Sequence, residues 1–450
     1  MSLPFVGPSP LDGTLLSSEQ ALKDAADDFG HLVSHRPAAV LRPGSAEDVA
    51  RMVRYARQHG LKTAPRGQGH TTYGHSQVAS GIVLEMSGLA TIHAIQQDRA
   101  VVDGGVRWST LVNQTLALGL VPPILPDYLE LSVGGTLAVG GVSSSSFKDG
   151  VQADHVLELT VVTGTGEQVT CSPTQHRDLF EAVLAGLGQC GIIVRATLRL
   201  VPAPEHVRLY DLGYADLGTQ LQDLRKCIEP GRFDGMVGTL LPAPGGGWLH
   251  RLVGNVYSSG STRPDDARVL EGLSYQRGSE QIVDMPFVAW ANRLVPLMAE
   301  GHKQGYFEHA HAWCDLFVPD SKLDTFAAQV LSEISPAEYS PFSPIFFLPF
   351  RRDRLTRPLF RVPEEDTFFL FDLLRTVTPQ TRPAADMVAH NRQLLERNRA
   401  WGGTHYTISA IPLTPEDWKR HYGPAWEAFA AAKRRYDPDT VLTPGPNIFP

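Results

Sequence analysis

The stretch APRGQGHTTYGHSQ, residues 64–77, places a histidine inside a glycine turn. Gly67 and Gly69 let the backbone approach a ligand closely, and consecutive amides in such a turn can bind an anion. Arg66 precedes the turn, and the hydroxyl of Thr71 follows His70. The pattern lacks the third glycine of a Rossmann fingerprint and the Gly-Lys-Ser/Thr of a Walker loop. Two interpretations stay open from these residues, a tight surface turn and a cofactor loop.

A second glycine cluster, VGGTLAVGGVSSSSF, spans residues 133–147. Such a cluster could pass close to the phosphates or the ring of a ligand, or it could pack its small residues against another backbone. Asp127 lies just upstream in LPDYLELSVGG. A single aspartate in a loop is commonly a cap or turn residue, so proton transfer is a second interpretation of Asp127.

Metal and nucleophile chemistry has little support in the sequence. His309 and His311 in EHAHAW would share one face of a strand and could hold zinc, but no third ligand has a suggestive spacing, so we expect no metal. No Gly-x-Ser-x-Gly motif occurs, so a serine nucleophile lacks the support of that motif. Free, buried thiols without a CxxC pair are expected at Cys171, Cys190, Cys227 and Cys314.

The elements that position these residues alternate between strands and helices over the first 200 residues, and 450 residues predict two or three domains. Ser45 is the expected N-cap of the first helix, and Pro202 and Pro204 mark a domain boundary. The predicted elements are a helix after Ser45 up to Gly60, strands at 81–86 and 99–105, a capped helix at 109–119, a hairpin at 155–172 turning at 164–166, a helix at 178–188 and a strand from 191 to about 200.

The region 205–395 is richer in proline and aromatic residues and predicts a mixed or antiparallel sheet with long connections. Helices are predicted at 391–401 and, as one continuous helix, at 416–438. The chain ends in the turn-rich TPGPNIFP.

Composition excludes several classes of function. The net charge is −8 and no long basic run occurs, so nucleic-acid binding is not expected. No window approaches about 18 apolar residues, so no membrane span is expected. The N-terminal MSLPFVGPSPLDG lacks the basic and apolar regions of a secretory signal, and a cytoplasmic location is the simplest expectation.

Several ordered motifs together resemble one family. They are RGQGHT (66–71), PDYLELSVGGTLAVGGV (126–142), HVLELTVVTG (155–164), AGLGQCGIIVRA (185–196), HAWCDLFVPDS (311–321) and RRYDPDTVLTPGPNIF (434–449). The chain resembles FAD-linked oxidoreductases of the vanillyl-alcohol-oxidase (PCMH-type) superfamily and is most similar to cytokinin dehydrogenases. The resemblance is strong over about residues 35–200 and 390–450 and weaker between them.

The resemblance implies an α+β, two-domain PCMH-type FAD-binding fold with a substrate domain built on an antiparallel sheet flanked by helices. The expected domains are an FAD-binding domain at 1–203, a substrate-binding domain at 204–395 and a C-terminal segment at 396–450 that returns to the FAD domain. It also implies that FAD is bound covalently through His70; a second link through a cysteine is not expected, because residues 133–147 contain none. The other implied cofactor-binding residues are Arg66, Gly67, Gln68, Gly69, Thr71, His75, Ser132, Gly135, Ala138, Val142, Ile193, Tyr406, Thr443 and Asn447.

By the same resemblance, Asp127 accepts a proton from the substrate while hydride passes to flavin N5. A carboxylate beside an apolar flavin face would have a raised pKa, which suits a proton acceptor. Trp313 matches a strand of the substrate domain, where it could form a wall for a planar substrate or pack in the core.

The sequence departs from the family pattern at some positions. Thr71 replaces a serine, His75 and Pro446 replace glutamines, and the stretch 248–257 has no acid where the family carries a substrate-positioning glutamate. Many bacterial members act on other small metabolites. The main expectation is a cytokinin-dehydrogenase-like enzyme that oxidises a C–H bond next to nitrogen or oxygen in a small organic substrate. The open alternatives are a peroxide-releasing oxidase of an alcohol, sugar or natural-product (antibiotic) intermediate, and a non-catalytic flavin-binding or drug-sequestering protein. The electron acceptor would be oxygen or a quinone.

Overall fold

The structure, a computed structural model, describes residues 5, 7–228 and 231–450, so the N-terminal stretch considered above lies partly outside the described residues. The described chain contains three larger sheets, of four, five and eight strands, with helices packed on them. The expected α+β class is confirmed.

The four-stranded sheet carries the glycine turn at the end of one strand. Its strands are β1 (Thr14–Leu16), β2 (Ala39–Arg42), β3 (Thr63–Arg66) and β4 (Ile82–Glu85), in the order β1-β2-β4-β3, with β1 antiparallel and the others parallel. The helices of this region are α1 (Glu19–Ala25) and α2 (Ala46–Gln58). As predicted, Ser45 caps α2, and its hydroxyl accepts a hydrogen bond from the Asp48 amide at 3.2 Å.

The five-stranded sheet is antiparallel. Its strands are β5 (Ile92–Ile95), β6 (Arg99–Asp103), β8 (Val156–Val162), β9 (Gln168–Cys171) and β10 (Ile192–Arg199), in the order β5-β6-β10-β8-β9. A separate pair joins β7 (Leu120–Val121) to β11 (Val201–Pro202). The helices are α3 (Trp108–Leu116), α4 (Val133–Leu137), α5 (Ser146–Asp149) and α6 (Arg177–Val183). The predicted hairpin, β8 with β9, is confirmed.

Two helices in this part differ from the sequence prediction. No side chain caps α3, which begins at Trp108, one residue before the predicted start. Helix α6 ends at Val183 instead of continuing to 188, because Ala185 and Leu187 adopt left-handed backbone conformations with φ of 57° and 52°.

The eight-stranded sheet is wholly antiparallel. Its strands are β12 (His206–Tyr214), β13 (Gly235–Pro242), β14 (Trp248–Ser258), β15 (Gln281–Pro286), β17 (Cys314–Pro319), β18 (Ile345–Arg351), β19 (Thr367–Leu373) and β21 (Thr404–His405), in the order β15-β12-β14-β13-β18-β19-β17-β21. A small ladder joins β16 (Ala310–His311) to β20 (Thr376–Val377). The helices are α7 (Leu217–Cys227), α8 (Asp266–Leu270), α9 (Phe287–Ala291), α10 (Leu294–Lys303), α11 (Asp320–Glu333), α12 (Ala384–Ala400), α13 (Pro415–Tyr422) and α14 (Trp426–Tyr436).

The single helix predicted at 416–438 is wrong, because the chain forms α13 and α14 with a break between them. Gly423 has a φ of 49°, and Pro424 has no amide hydrogen to continue the helix. The helix predicted at 391–401 is longer than expected, since α12 already begins at Ala384.

Alternate residues of the large sheet enter two different cores. Leu316 and Phe371 pack on the side of α7 and α11, whereas Phe317 and Leu370 pack on the side of the five-stranded sheet. The C-terminal segment connects the sheets, because β21 pairs with β17 and the Thr63 amide donates to the Val441 carbonyl at 2.8 Å. The domain bounds at 203 and 395 stay a prediction. Within the described residues, no helix has both the length and the apolar character needed to cross a membrane.

Candidate active site

A cavity of about 400 Å³ lies between the two glycine loops and the large antiparallel sheet. Most of the residues predicted to bind cofactor or substrate line it together. They are Gly67, Gln68, Gly69, His70, Thr71, His75, Asp127, Ser132, Gly135, Ala138, Val142, Ile193, Trp313, Tyr406 and Thr443. Arg66 and Asn447 are not among the lining residues: Arg66 lies beneath the turn, and Asn447 is exposed.

The glycine turn follows β3 directly and is fixed by a short N-terminal segment. The amides of Phe29 and Gly30 donate to the carbonyls of Gly69 and Thr71 at 2.9 and 3.1 Å. The buried Asp28 carboxylate accepts from the Thr71 hydroxyl at 2.8 Å and from the Gly74 amide at 2.7 Å. Asp28 and Phe29 have no signal in the sequence, because they lie about 40 positions before the turn and belong to no motif.

The ring of His70 is held in a stack of three rings. Phe29 stacks on His70 with the ring centroids 4.1 Å apart and on His311 at the same distance of 4.1 Å. Burial lowers the pKa of His70 to about 4, so the imidazole is neutral at neutral pH. A neutral ring of fixed orientation has a nitrogen lone pair available for bond formation.

The turn is shaped for close approach by a ligand that accepts hydrogen bonds. A Cβ at Gly69 would overlap the Arg66 guanidinium, and a Cβ at Gly67 would overlap the Ser132 hydroxyl. Within the described part of the chain, the amides of residues 68–71 donate no hydrogen bond to another group. Free amides without obstructing side chains fit a pyrophosphate, the charged middle of FAD.

Three other residues predicted to bind the cofactor, Thr443, Tyr406 and His75, are constrained by a hydrogen bond or by burial. Thr443 has a φ of 50°, and its hydroxyl donates to the Gly188 carbonyl at 2.9 Å. Burial raises the pKa of Tyr406, which keeps its phenol protonated. Burial lowers the pKa of His75 to about 4, so this second histidine of the loop is also neutral.

Asp127 forms an ion pair with Arg293, a residue that the sequence analysis did not identify. The guanidinium of Arg293 also lies over the Trp290 ring, 4.5 Å from its centroid. No motif surrounds Arg293, and 166 positions separate it from Asp127, so no sequence signal predicts the pair. The guanidinium fixes the orientation of the carboxylate at the cavity wall.

The side of the cavity formed by the large sheet is mostly apolar and aromatic. Trp313 lines it, 5.6 Å from the His70 ring and 5.0 Å from the Phe29 ring, and its indole nitrogen is buried without a hydrogen-bond partner. The apolar lining residues are Phe346, Leu348 and Leu370 of the sheet, Leu294, Leu297 and Met298 of α10, and Phe342 and Leu374 of the connecting segments. One acid, Asp372, interrupts this surface, and the sequence analysis missed it within the apolar stretch FFLFDLL.

Metal-binding geometry is not found among the described residues, which contain no group of three or more His, Cys, Asp or Glu able to hold an ion. His311 is fully buried, and its pKa is lowered to about 3 by burial. The four cysteines are free and buried as expected, and burial raises their pKa values to about 12.

Comparison with known proteins agrees with this geometry. Residues 37–172 match a family described as FAD binding domain, and residues 259–449 match one described as cytokinin dehydrogenase 1, FAD and cytokinin binding. The fold and the cavity therefore define an FAD-dependent oxidoreductase of the PCMH type.

Relatives that match over nearly their whole length show which family of FAD-dependent oxidoreductases the chain belongs to. An uncharacterised oxidoreductase of the fasciation locus of Rhodococcoides fascians is 37% identical, over 97% of this chain and 99% of its own length. Cytokinin dehydrogenase 9 of Oryza sativa subsp. japonica is 32% identical, over 98% of this chain and 92% of its own. Cytokinin dehydrogenase 3 of Arabidopsis thaliana is 30% identical, over 97% of this chain and 90% of its own length. The chain belongs to the cytokinin dehydrogenase family.

Proposed function

We propose that the protein oxidises a C–H bond next to nitrogen in a small, flat amine, with FAD bound covalently through His70 and with Asp127 as the proton acceptor. The observation that carries this proposal is the common position of the two groups, since His70 and Asp127 line the same cavity. Relatives named cytokinin dehydrogenase, at 30–34% identity, support an amine as the substrate.

His70 is suited to the attachment because its imidazole is neutral and cannot turn freely. Its low pKa of about 4 leaves a lone pair on the ring at any pH near neutrality. The stack on Phe29 fixes the plane of the ring. The free amides of residues 68–71 would hold the pyrophosphate of the same cofactor next to it.

Asp127 is suited to removing the proton from the substrate nitrogen. Its ion pair with Arg293 keeps the carboxylate at the cavity wall, and a carboxylate that accepts the N–H proton frees an electron pair on nitrogen to form the C=N bond. FAD, when bound, supplies the hydride acceptor. The apolar walls exclude water and orient a flat ring, which favours an aromatic amine over a sugar.

An anaerobic screen tests the proposal. The purified holoenzyme is mixed with an isoprenoid adenine, simple alcohols or sugars, and the visible flavin absorbance is followed. We expect bleaching by the isoprenoid adenine. Bleaching by an alcohol or a sugar alone would instead support the oxidase alternative, and no bleaching by any donor would support a flavin-binding protein without catalysis. Peroxide formed on readmission of oxygen identifies oxygen as the acceptor, and turnover only with an added quinone identifies the quinone.

A further inference from the structure

Two aspartates face each other on neighbouring strands of the large sheet. Asp315 on β17 and Asp372 on β19 are direct partners in the antiparallel register. Their strand neighbours Leu316 and Phe371 pack into the opposite core, so both carboxyls lie on the cavity side of the sheet. Asp315 is fully buried, whereas Asp372 lines the cavity.

In the described part of the chain, no cation compensates the charge of this pair. Among the described residues, no Lys or Arg forms an ion pair with either aspartate. The Ser409 hydroxyl donates to Asp315 Oδ2 at 2.9 Å, but Asp315 Oδ1 and Asp372 Oδ1 are buried and receive no hydrogen bond. Two buried carboxylates in contact cannot both stay ionised, and one proton between them supplies the missing donor.

The pKa values of both carboxyls are raised, that of Asp372 more strongly. Burial, then the charge and hydrogen bond of Asp315 and the charge of Asp127, raise the pKa of Asp372 well above its usual range. Burial also raises the pKa of Asp315, but the hydrogen bonds from Asp372 and Ser409 oppose this rise. The ionisable groups that interact with the pair are Asp127, Tyr306, Cys314 and Tyr406.

A neutral Asp372 that donates its proton to Asp315 offers the cavity an acceptor oxygen without a charge. We propose that the Asp372 carboxyl binds the polar edge of the substrate by accepting a hydrogen bond from an N–H group of a flat N-heteroaromatic ring. This inference rests on the proposed function, because it places an amine substrate in the cavity that Asp127 lines. Phe346 is the register partner of Asp372 on β18, and the aromatic side chains of Trp313 and Phe346 line the same cavity as this acceptor.

The test measures binding of adenine to the holoenzyme. Adenine has N–H donors but no C–H bond next to its amino group that could be oxidised, so perturbation of the flavin spectrum reports binding without turnover. Asp372→Leu removes the acceptor and should weaken adenine binding about tenfold or more. Asp372→Asn should bind within about threefold of the wild type, because its NH₂ donates to Asp315 and its carbonyl replaces the acceptor.

The matched control changes an exposed acid before the same strand. Asp366→Leu should leave adenine binding unchanged, since Asp366 is exposed and does not line the cavity. Difference infrared spectroscopy adds a readout that does not depend on turnover. The wild type should show a protonated-carboxyl band that shifts when adenine binds, and Asp372→Asn should lack this band.

Adenine binding by Asp372→Leu within about twofold of the wild type would overturn the inference, as would absence of the infrared band from the wild type. The experiments distinguish failure of the proposed amine oxidation from failure of the proposed Asp372 recognition. If adenine binding depends on Asp372 but no amine bleaches the flavin, the recognition site stands and the amine oxidation is wrong. If an isoprenoid adenine bleaches the flavin but Asp372→Leu binds adenine normally, the function stands and this inference is wrong.

Discussion

His70 combines three properties at one position: a neutral ring, a fixed plane and a place in the glycine turn beside free amides. Burial accounts for the first property, the stack on Phe29 for the second and the hydrogen bonds of the 28–30 segment for the third. A second buried histidine, His75, lines the same cavity and is also neutral, but it lacks the stack on Phe29. The two histidines are therefore a natural pair for separating a covalent role from a packing role.

We predict that His70→Ala abolishes covalent attachment of the flavin. After precipitation with trichloroacetic acid, the wild-type polypeptide should stay yellow, and His70→Ala should release all its flavin to the supernatant. His75→Ala is the control, and whatever flavin it binds should stay with the polypeptide. Colour that leaves the wild type, or that stays with His70→Ala, would place the bond elsewhere or show that none forms.

The turn that follows β3 depends on glycine for space as well as for backbone conformation. Gly60 and Gly69 have nearly the same φ, 65° and 66°, but a Cβ at Gly60 would meet nothing within 4 Å. A Cβ at Gly69 would overlap the Arg66 guanidinium. An alanine at either position would adopt a left-handed backbone conformation at a cost of about 1 kcal/mol. The two substitutions therefore differ only in the contacts of the added Cβ.

We predict that Gly69→Ala reduces flavin incorporation more than Gly60→Ala, because its Cβ would displace the Arg66 guanidinium from beneath the turn that carries the free amides and His70. Gly60→Ala should lose about 1 kcal/mol of stability and keep a full flavin content. The ratio of visible to protein absorbance in the purified variants measures this. Equal flavin contents in the two variants would show that the turn does not contact the cofactor.

Helix α13 is anchored by a buried carboxylate. Asp417 is 4% exposed and accepts hydrogen bonds from Arg392 at 2.7 and 2.8 Å and from the Thr414 amide at 3.0 Å. Burial acts to raise the pKa of Asp417, but the hydrogen bonds from Arg392, Thr414 and Arg420 outweigh it and hold the pKa well below its usual range. The ionised form therefore stabilises the fold.

We predict that Asp417→Asn lowers the free energy of unfolding by about 3 kcal/mol at neutral pH, measured by urea denaturation. Because the folded pKa is depressed, this contribution is complete above the unfolded pKa of about 3.9 and declines as the pH falls below it. The difference between the variant and the wild type should thus shrink in acid. Asp439→Asn, whose partner Arg57 is half exposed, should change stability by less than about 1 kcal/mol. A constant difference across pH would contradict the assigned charge.

Part of the candidate site could be predicted from the sequence, because some of its secondary-structure elements have local sequence signals. The glycine turns and the strands around them have local sequence signals. The Gly423-Pro424 pair is also a local signal for a helix break, but the apolar pattern continues across it, so the pattern predicts a single helix. Phe29, Arg293 and Asp372 have no local signal, because their roles come from contacts across the fold. Spacing along the chain cannot predict such contacts without the sheet register.

At the scale of the whole molecule, the cavity is closed by segments far apart in the sequence. The Gly30 carbonyl accepts from the His311 amide at 2.9 Å, and the Thr72 hydroxyl donates to the Ile408 carbonyl at 2.5 Å. These bonds hold the glycine turn against the large sheet and against the C-terminal segment. The glycine turn and the apolar wall of the cavity are thereby held together, as the proposed hydride transfer requires.

Asp127 is proposed to accept the substrate proton in this cavity, and single-turnover reduction of the flavin measures that step. The anaerobic holoenzyme is mixed rapidly with an isoprenoid adenine, and the rate of flavin bleaching is measured at saturating substrate. We predict that Asp127→Asn slows this rate by about a hundredfold or more, with flavin content and adenine binding unchanged. Bleaching of Asp127→Asn at the wild-type rate would show that Asp127 is not the proton acceptor.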